Sequence, residues 1–126
     1  MPYTPMNFAV WTEIPVADLD KGIAFYSDVF GIEMKKDETG PNPIAMFPTW
    51  DDTGVAGHLY AGKPAIDGSG PTIHFASPGK LEDTVARVAP AGGTVVSDAI
   101  EIPPGRFTYC KDPDGNSFSI FEAKAA

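Results

Sequence analysis

The sequence lacks the cysteine pairs that form disulfides and the long apolar runs that span a membrane. Its single cysteine, Cys110, cannot form a disulfide within the chain, which fits a reducing compartment such as the cytoplasm. No stretch approaches the roughly 18 consecutive apolar residues that a membrane span needs. The first residues, MPYTPMNF, lack the basic segment and apolar run of a signal peptide. We therefore expect a cytoplasmic protein with no membrane partner.

Basic residues are also scarce. The chain has 9 Lys and Arg against 17 Asp and Glu, a formal net charge of −8. A nucleic-acid surface needs clustered Lys and Arg, so a nucleic-acid partner is disfavoured. No Ser-His-Asp order, phosphate-binding loop or zinc-type cysteine spacing is present either.

What the chain does contain is typical of one soluble globular domain. Its 126 residues are 43% hydrophobic and 21% charged. A chain of this length and composition can bury a hydrophobic core without disulfide cross-links.

The first half predicts a strand, a helix and three strands. Residues 8–16, FAVWTEIPV, are rich in β-branched and aromatic residues, and alternation places Trp11 and Glu13 on the same face. A helix is predicted from the N-cap Asp18 to Gly31, with apolar residues at helical spacing between them. The three strands are predicted at 32–36, 44–48 and 56–61.

The second half predicts the same order of elements after a connector rich in Gly, Pro and Ser. A strand at 72–76 precedes a helix at 80–93, and TVVSD, GRFTYCKD and SFSIFEA supply three more strands. A shift of 62 positions places Leu19 on Leu81 and Gly31 on Gly93. We predict an α+β fold of two βαβββ modules in tandem, in which each sheet buries one face against its helix and leaves the other to line a cleft. The single domain then comprises module one at about 8–61, a linker at 62–71 and module two at about 72–122.

The segment DPDGN at 112–116 could be a calcium loop or a turn. An EF-hand loop that began at Asp112 would need Gly at its sixth position and Glu at its twelfth, where Ser117 and Ala123 stand. Pro113 fixes its own φ angle, and Gly115 tolerates a positive one. The segment therefore predicts a tight turn between two strands.

The same turn, with its setting, also resembles a known family. DPDGN followed by a final strand, VADLDKGIAFYSDVFGI in the first half and APAGGTVV in the second are similar to the vicinal oxygen chelate superfamily. That superfamily includes glyoxalases, bleomycin-resistance proteins, fosfomycin-resistance enzymes and extradiol dioxygenases, and the similarity runs from about residue 8 to 122. It implies sheets curved around a cleft and, since such chains commonly pair, a homodimer.

The resemblance also implies four positions for metal ligands, usually His, Gln or Glu. They fall on Trp11, His58, His74 and Ser119. Indole cannot ligate a metal and a neutral serine is a poor ligand, so the inherited site is not intact. Glu13 could replace the first ligand and form a two-histidine, one-carboxylate set with His58 and His74. Both histidines are also explained without a metal, as hydrogen-bonding wall residues or as partly exposed surface groups.

Two functions of different class follow. In the first, the protein binds an aromatic or cationic small molecule without a metal or other cofactor. In the second, a divalent metal held by His58, His74 and Glu13 serves a lyase, isomerase or dioxygenase acting on vicinal oxygens, and Glu13 is also the candidate general base. The expected pocket lining is the same for both: Trp11, Glu13, His58, His74, Tyr109 and Ser119.

Overall fold

The computed structural model describes residues 2–125, apart from the side chain of Asp52, as a mixed α+β fold with two sheets and few helices. The first half contains β1 (Thr12–Val16), α1 (Leu19–Phe30), β2 (Lys35–Asp37), β3 (Ile44–Met46) and β4 (Gly57–Ala61), with a 3₁₀ turn at Trp50–Asp52. The second half contains β5 (Ile73–Ala76), α2 (Leu81–Val85), β6 (Thr94–Val95), β7 (Ile100–Ile102), β8 (Gly105–Lys111) and β9 (Ser117–Ala123). No helix within residues 2–125 has both the length and the apolar character to cross a membrane.

The two sheets have the same plan. In the first sheet the strand order is β1-β4-β3-β2, and β1 runs parallel to β4 while the other pairs are antiparallel. In the second the order is β5-β9-β8-β6, again with a parallel first pair, and β7 also pairs with β8. This architecture confirms the predicted α+β class.

Helix α1 begins and ends where the sequence predicts. The Asp18 side chain accepts a hydrogen bond from the backbone N–H of Lys21 at 3.1 Å, which satisfies one of the free donors of the first turn. At the other end Gly31 adopts a φ of 64°, the left-handed conformation that terminates many helices.

The apolar face of α1 joins the two sheets in one core. Phe25 and Tyr26 pack edge-on against each other, and both rings contact Phe118 of the second sheet. Phe30 contacts Phe75 and Phe118 in the same way. The cluster continues into the first sheet through Ile14, Val16, Ala45 and Leu59. One continuous core therefore supports both sheets.

Three predicted elements differ from the structure. The strand predicted at 8–16 begins only at Thr12, because residues 8–11 find no partner strand within residues 2–125. The helix predicted at 80–93 is regular only over Leu81–Val85 and continues as turns, since Pro90 has no N–H with which to extend it. The strand predicted at 32–36 lies instead at Lys35–Asp37.

One strand was not predicted. β7, at Ile100–Ile102, pairs with β8 across a short turn at Pro103 and Pro104.

The DPDGN segment is a tight turn between β8 and β9, as predicted. Its Asp112 is buried, and Oδ1 accepts from the backbone N–H groups of Asp114 and Asn116, each at 2.9 Å. Oδ2 accepts from the Tyr26 hydroxyl at 2.8 Å and from Asn116 Nδ2 at 2.9 Å. Gly115 supplies the positive φ, 93°.

The same turn contacts the first half of the chain. Asn116 Nδ2 donates to the carbonyl of Pro15 at 2.8 Å, and its Oδ1 accepts from the N–H of Ala65 at 3.1 Å. Asp114 Oδ2 accepts from the N–H of Ala17 at 3.2 Å. The turn therefore ties the end of β1 and the connector to the last hairpin.

Candidate functional site

The first group of site residues lies on the face of the first sheet that points away from the core. Register pairs Glu13 of β1 directly with His58 of β4, so their side chains are neighbours on one face. Trp11, two residues before Glu13, donates from Nε1 to His58 Nδ1 at 2.9 Å. The other ring nitrogen of His58, Nε2, lies 3.2 Å from Glu13 Oε1. We call Trp11, Glu13 and His58 the indole cluster.

The hydrogen bond from Trp11 determines which nitrogen of His58 carries the proton. A neutral imidazole has one N–H and one lone pair, and indole can only donate. Because Nδ1 accepts from Trp11, the ring proton of His58 lies on Nε2, the nitrogen that is 3.2 Å from Glu13 Oε1. His58 therefore has no lone pair left for a metal ion while this bond is made.

The second group lies on the second sheet. Register pairs Ser119 of β9 with His74 of β5 on one side and with Tyr109 of β8 on the other. Ser119 Oγ lies 2.5 Å from His74 Nδ1, and the His74 ring packs edge-on against Phe107 and Tyr109 with centroids 5.0 and 6.1 Å away. Phe107 belongs to this group as well, at the position that alternation from Tyr109 predicts.

The burial of Ser119 likewise determines which ring nitrogen of His74 carries the proton. Ser119 is fully buried, and within residues 2–125 its hydroxyl has no other hydrogen-bond partner than His74. A buried hydroxyl proton needs an acceptor, so Ser119 donates to Nδ1 and the proton of His74 lies on Nε2.

The six expected pocket residues thus form two groups of three. No hydrogen bond, ion pair or ring contact joins one group to the other within residues 2–125. Trp11 and Glu13 line a cavity of about 530 Å³ at β1, whereas His74 lines a separate, mainly apolar cavity of about 640 Å³.

The donor set does not fit a divalent ion. Trp11 and Ser119 occupy two of the four positions inherited by resemblance, and the histidines at the other two hold their lone pairs in hydrogen bonds. Among the residues that the structure describes, no three His, Cys, Asp or Glu side chains come together in a group that could hold a metal.

The structure adds Lys63 to the site. It lines the same cavity as Trp11 and Glu13, although its place in the connector gave no sequence signal. Two other polar groups stay outside the site. Glu122 faces α2, where it accepts from the N–H of Leu81 at 2.8 Å, and Cys110 is buried in the core, where burial raises its thiol pKa to about 11.

Comparison with known proteins agrees with this fold. Residues 9–120 match the model of the Glyoxalase/Bleomycin resistance protein/Dioxygenase superfamily. The chain is 28% identical over 114 residues to CFP32 of Mycobacterium tuberculosis, covering 90% of this chain and 43% of that protein. It is 29% identical over 118 residues to the anthracycline biosynthesis protein DauV of Streptomyces sp., covering 92% of this chain and 42% of that one. The chain thus spans less than half the length of these two relatives.

A solved structure shows the same architecture. The glyoxalase/bleomycin resistance protein of Albidiferax ferrireducens superposes with a TM-score of 0.72 at 19% identity, covering 94% of this chain and all of that one. Members of this superfamily are commonly dimers that bind small molecules, and many use divalent metals. From residue 9 to residue 120, the chain belongs to the Glyoxalase/Bleomycin resistance protein/Dioxygenase superfamily.

Proposed function

We propose that the protein binds a small molecule at the indole cluster and does so without a resident metal ion. The observation that carries this proposal is the hydrogen bond from Trp11 Nε1 to His58 Nδ1. It uses the lone pair that a metal would need, and it holds an aromatic ring in place beside a carboxylate. The geometry therefore supports recognition of a ligand better than chelation of an ion.

The cluster offers two kinds of contact. Trp11 is 48% exposed, and an aromatic face attracts aromatic rings and cations. The side chain of Glu13 is 66% exposed, so its carboxylate can accept a hydrogen bond from a ligand. An aromatic or cationic small molecule fits both contacts.

The metal-free part of the proposal is tested by metal content. Protein without a polyhistidine tag is grown with nickel, zinc, iron and manganese, gel-filtered and measured by plasma mass spectrometry. We expect far less than one equivalent per chain. The variant Trp11→His/Ser119→Glu, which has ligand side chains at all four inherited positions, is measured alongside. One equivalent in the unmodified protein, lost in His58→Ala and His74→Ala, would instead support a metal-dependent lyase, isomerase or dioxygenase.

The binding part is tested with ligands found by thermal shift. Trp11→Ala should weaken affinity about 3- to 10-fold, the value of one aromatic contact, in titration calorimetry. Trp50→Ala is the matched control, because Trp50 is 89% exposed in the 3₁₀ turn. We expect His74→Ala to have little effect. Equal and severe losses in both histidine variants would contradict the assignment of the site.

We also propose that the chain is a single domain, with modules at about 8–61 and 72–122, and that it forms a homodimer in the cytoplasm. The exposed residues Phe8 and Val10 precede β1, which is an edge strand within residues 2–125, and they support an interface there. Light scattering on eluting protein should give twice the mass of one chain. Phe8→Asp/Val10→Asp should give the monomer, and an unmodified protein that is monomeric at high concentration would refute the dimer.

A further inference from the structure

The cavity beside the indole cluster contains charges of both signs. It measures about 530 Å³, within the range of small-molecule sites, and it is lined by parts of β1, the connector and the start of β9. Its lining has one carboxylate, Glu13, and one ammonium, Lys63, and its other lining residues are uncharged. Much of the remaining wall is apolar, as at Ile14, Pro71 and Ile73.

Within residues 2–125, and leaving the Asp52 side chain aside, neither Glu13 nor Lys63 is paired with an opposite charge. Lys63 makes no ion pair within residues 2–125 when the Asp52 side chain is left aside, whereas Lys36 pairs with Asp20 and Lys111 pairs with Asp67. Within the part of the chain that the structure describes, the one ion-pair partner of Glu13 is His58, which carries no charge while its Nδ1 accepts from Trp11. Both groups can therefore pair with charges on a ligand.

We infer that the ligand is a zwitterion, an amino acid or amino-acid-like molecule that carries an aromatic ring. This inference rests on the proposed function and names the ligand class of that site. Glu13 binds the ammonium group, Lys63 binds the carboxylate, and the indole of Trp11 packs against the ring. Charge-assisted hydrogen bonds of this kind are stronger than neutral ones, so both ends contribute to affinity.

Ligands with a single charge fit less well. A carboxylate alone would approach a chain with net charge −8 without an ammonium group to pair with Glu13. An amine alone would leave Lys63 unpaired in the occupied cavity, and an unpaired charge loses hydration on binding.

Titration calorimetry with matched ligands tests the inference. The series is phenylalanine, phenethylamine, which lacks the carboxylate, and 3-phenylpropionate, which lacks the ammonium group. Phenylalanine should bind roughly tenfold more tightly than either, one charge-assisted contact's worth. Tryptophan and the β- and γ-amino analogues of phenylalanine extend the series and measure the charge separation that fits best.

Two variants separate the roles of the charges. Glu13→Gln should weaken binding of the zwitterion and the amine about tenfold and leave the acid unchanged. Lys63→Gln should weaken the zwitterion and the acid and leave the amine unchanged. Lys35→Gln removes a positive charge from β2, outside the cavity lining, and is the control for net charge.

Other results would overturn the inference in distinguishable ways. If phenethylamine binds as tightly as every amino acid and Lys63→Gln changes nothing, the cavity is a cation site and the proposed binding function stands. If no ligand of the series binds, while an unrelated ligand binds with an affinity that Trp11→Ala weakens, the zwitterion inference fails and the proposed binding function stands. If no ligand from the thermal-shift screen depends on Trp11, both the zwitterion and the proposed function fail.

Discussion

Tyr26 connects the first helix to the turn of the last hairpin through a single hydroxyl. It is almost fully buried and donates to Asp112 Oδ2 at 2.8 Å. Burial, and then the negative charge of Asp112, raise the pKa of the phenol well above its usual value. The hydroxyl therefore stays protonated and remains a donor at any ordinary pH.

Replacing Tyr26 by Phe should test the value of this bond. The change keeps the ring and its contacts with Phe118 but leaves the buried Asp112 with one donor fewer. We expect the free energy of unfolding to fall by about 1.5–3 kcal/mol, the usual worth of a hydrogen bond to a charged group. Urea denaturation followed by circular dichroism measures it. Tyr3→Phe, at an exposed tyrosine, should change nothing, and equal stability of the two variants would contradict the role of Tyr26.

At the scale of the residue, the sequence predicted which side chains share a strand face, but it did not predict which of them form hydrogen bonds. Alternation placed Trp11 and Glu13 together, and they do form one cluster with His58. The bond from Trp11 to His58 joins residues 47 positions apart, so it depends on the pairing of β1 with β4. No local pattern encodes that pairing, and the same limit kept Lys63 out of the predicted site.

At the scale of the element, helix α2 depends on side chains from the sheet. It has five residues, and its N-cap, Lys80, makes no side-chain capping bond. Glu122 accepts from the N–H of Leu81 instead, and Arg106 binds Glu122 at 2.9 Å and both oxygens of Glu82 at 2.7 Å. These bonds substitute for the missing cap.

The ion pairs should make stability depend on acid pH. The Arg106 hydrogen bonds hold the pKa of Glu82 at about 2, below its usual 4.5, while the Leu81 N–H and then Arg106 lower the pKa of Glu122. A lowered pKa in the folded state adds stability above the unfolded value, and this is lost as pH falls through the folded value. Arg106→Gln should therefore lower the melting temperature at pH 7, and the difference should shrink between about pH 4.5 and 2.

Thermal denaturation across that pH range measures the effect, with Lys35→Gln as the control for net charge. Glu122 keeps its bond to Leu81 in the Arg106 variant, so part of the acid dependence should remain. A difference between the proteins that is the same at every pH would show that the Glu82 pair contributes nothing.

Element boundaries were predictable where local chemistry sets them. Asp18 and Gly31 bound α1 because capping is local. The helix at 80–93 was predicted too long because apolar spacing continues past Val85 while the backbone has already changed to turns near Pro90. The predicted start of β1 at residue 8 was wrong because a strand needs a partner strand, and residues 8–11 have none within residues 2–125.

At the scale of the whole molecule, the two halves are fastened in two ways. The aromatic residues of α1 pack on the second sheet, and the DPDGN turn binds the first half through Asn116 and Asp114. The repeated order of elements predicted the two halves. It did not predict that the turn between β8 and β9 would join them, because each of those contacts spans at least 51 positions.

Asn116→Ala should test how strongly this joint couples the halves. The variant loses three side-chain hydrogen bonds, to Pro15, Ala65 and Asp112, at roughly 1 kcal/mol each, so stability should fall by on the order of 3 kcal/mol. Because the hydrophobic core is continuous across both sheets, we expect one unfolding transition in the unmodified protein and in the variant. Hydrogen exchange should nevertheless quicken at the amide of Ala65, which loses its acceptor. Asn42→Ala, at an exposed asparagine, is the control. Two separate transitions in the Asn116 variant would show that the turn, rather than the core, makes the two halves fold as one.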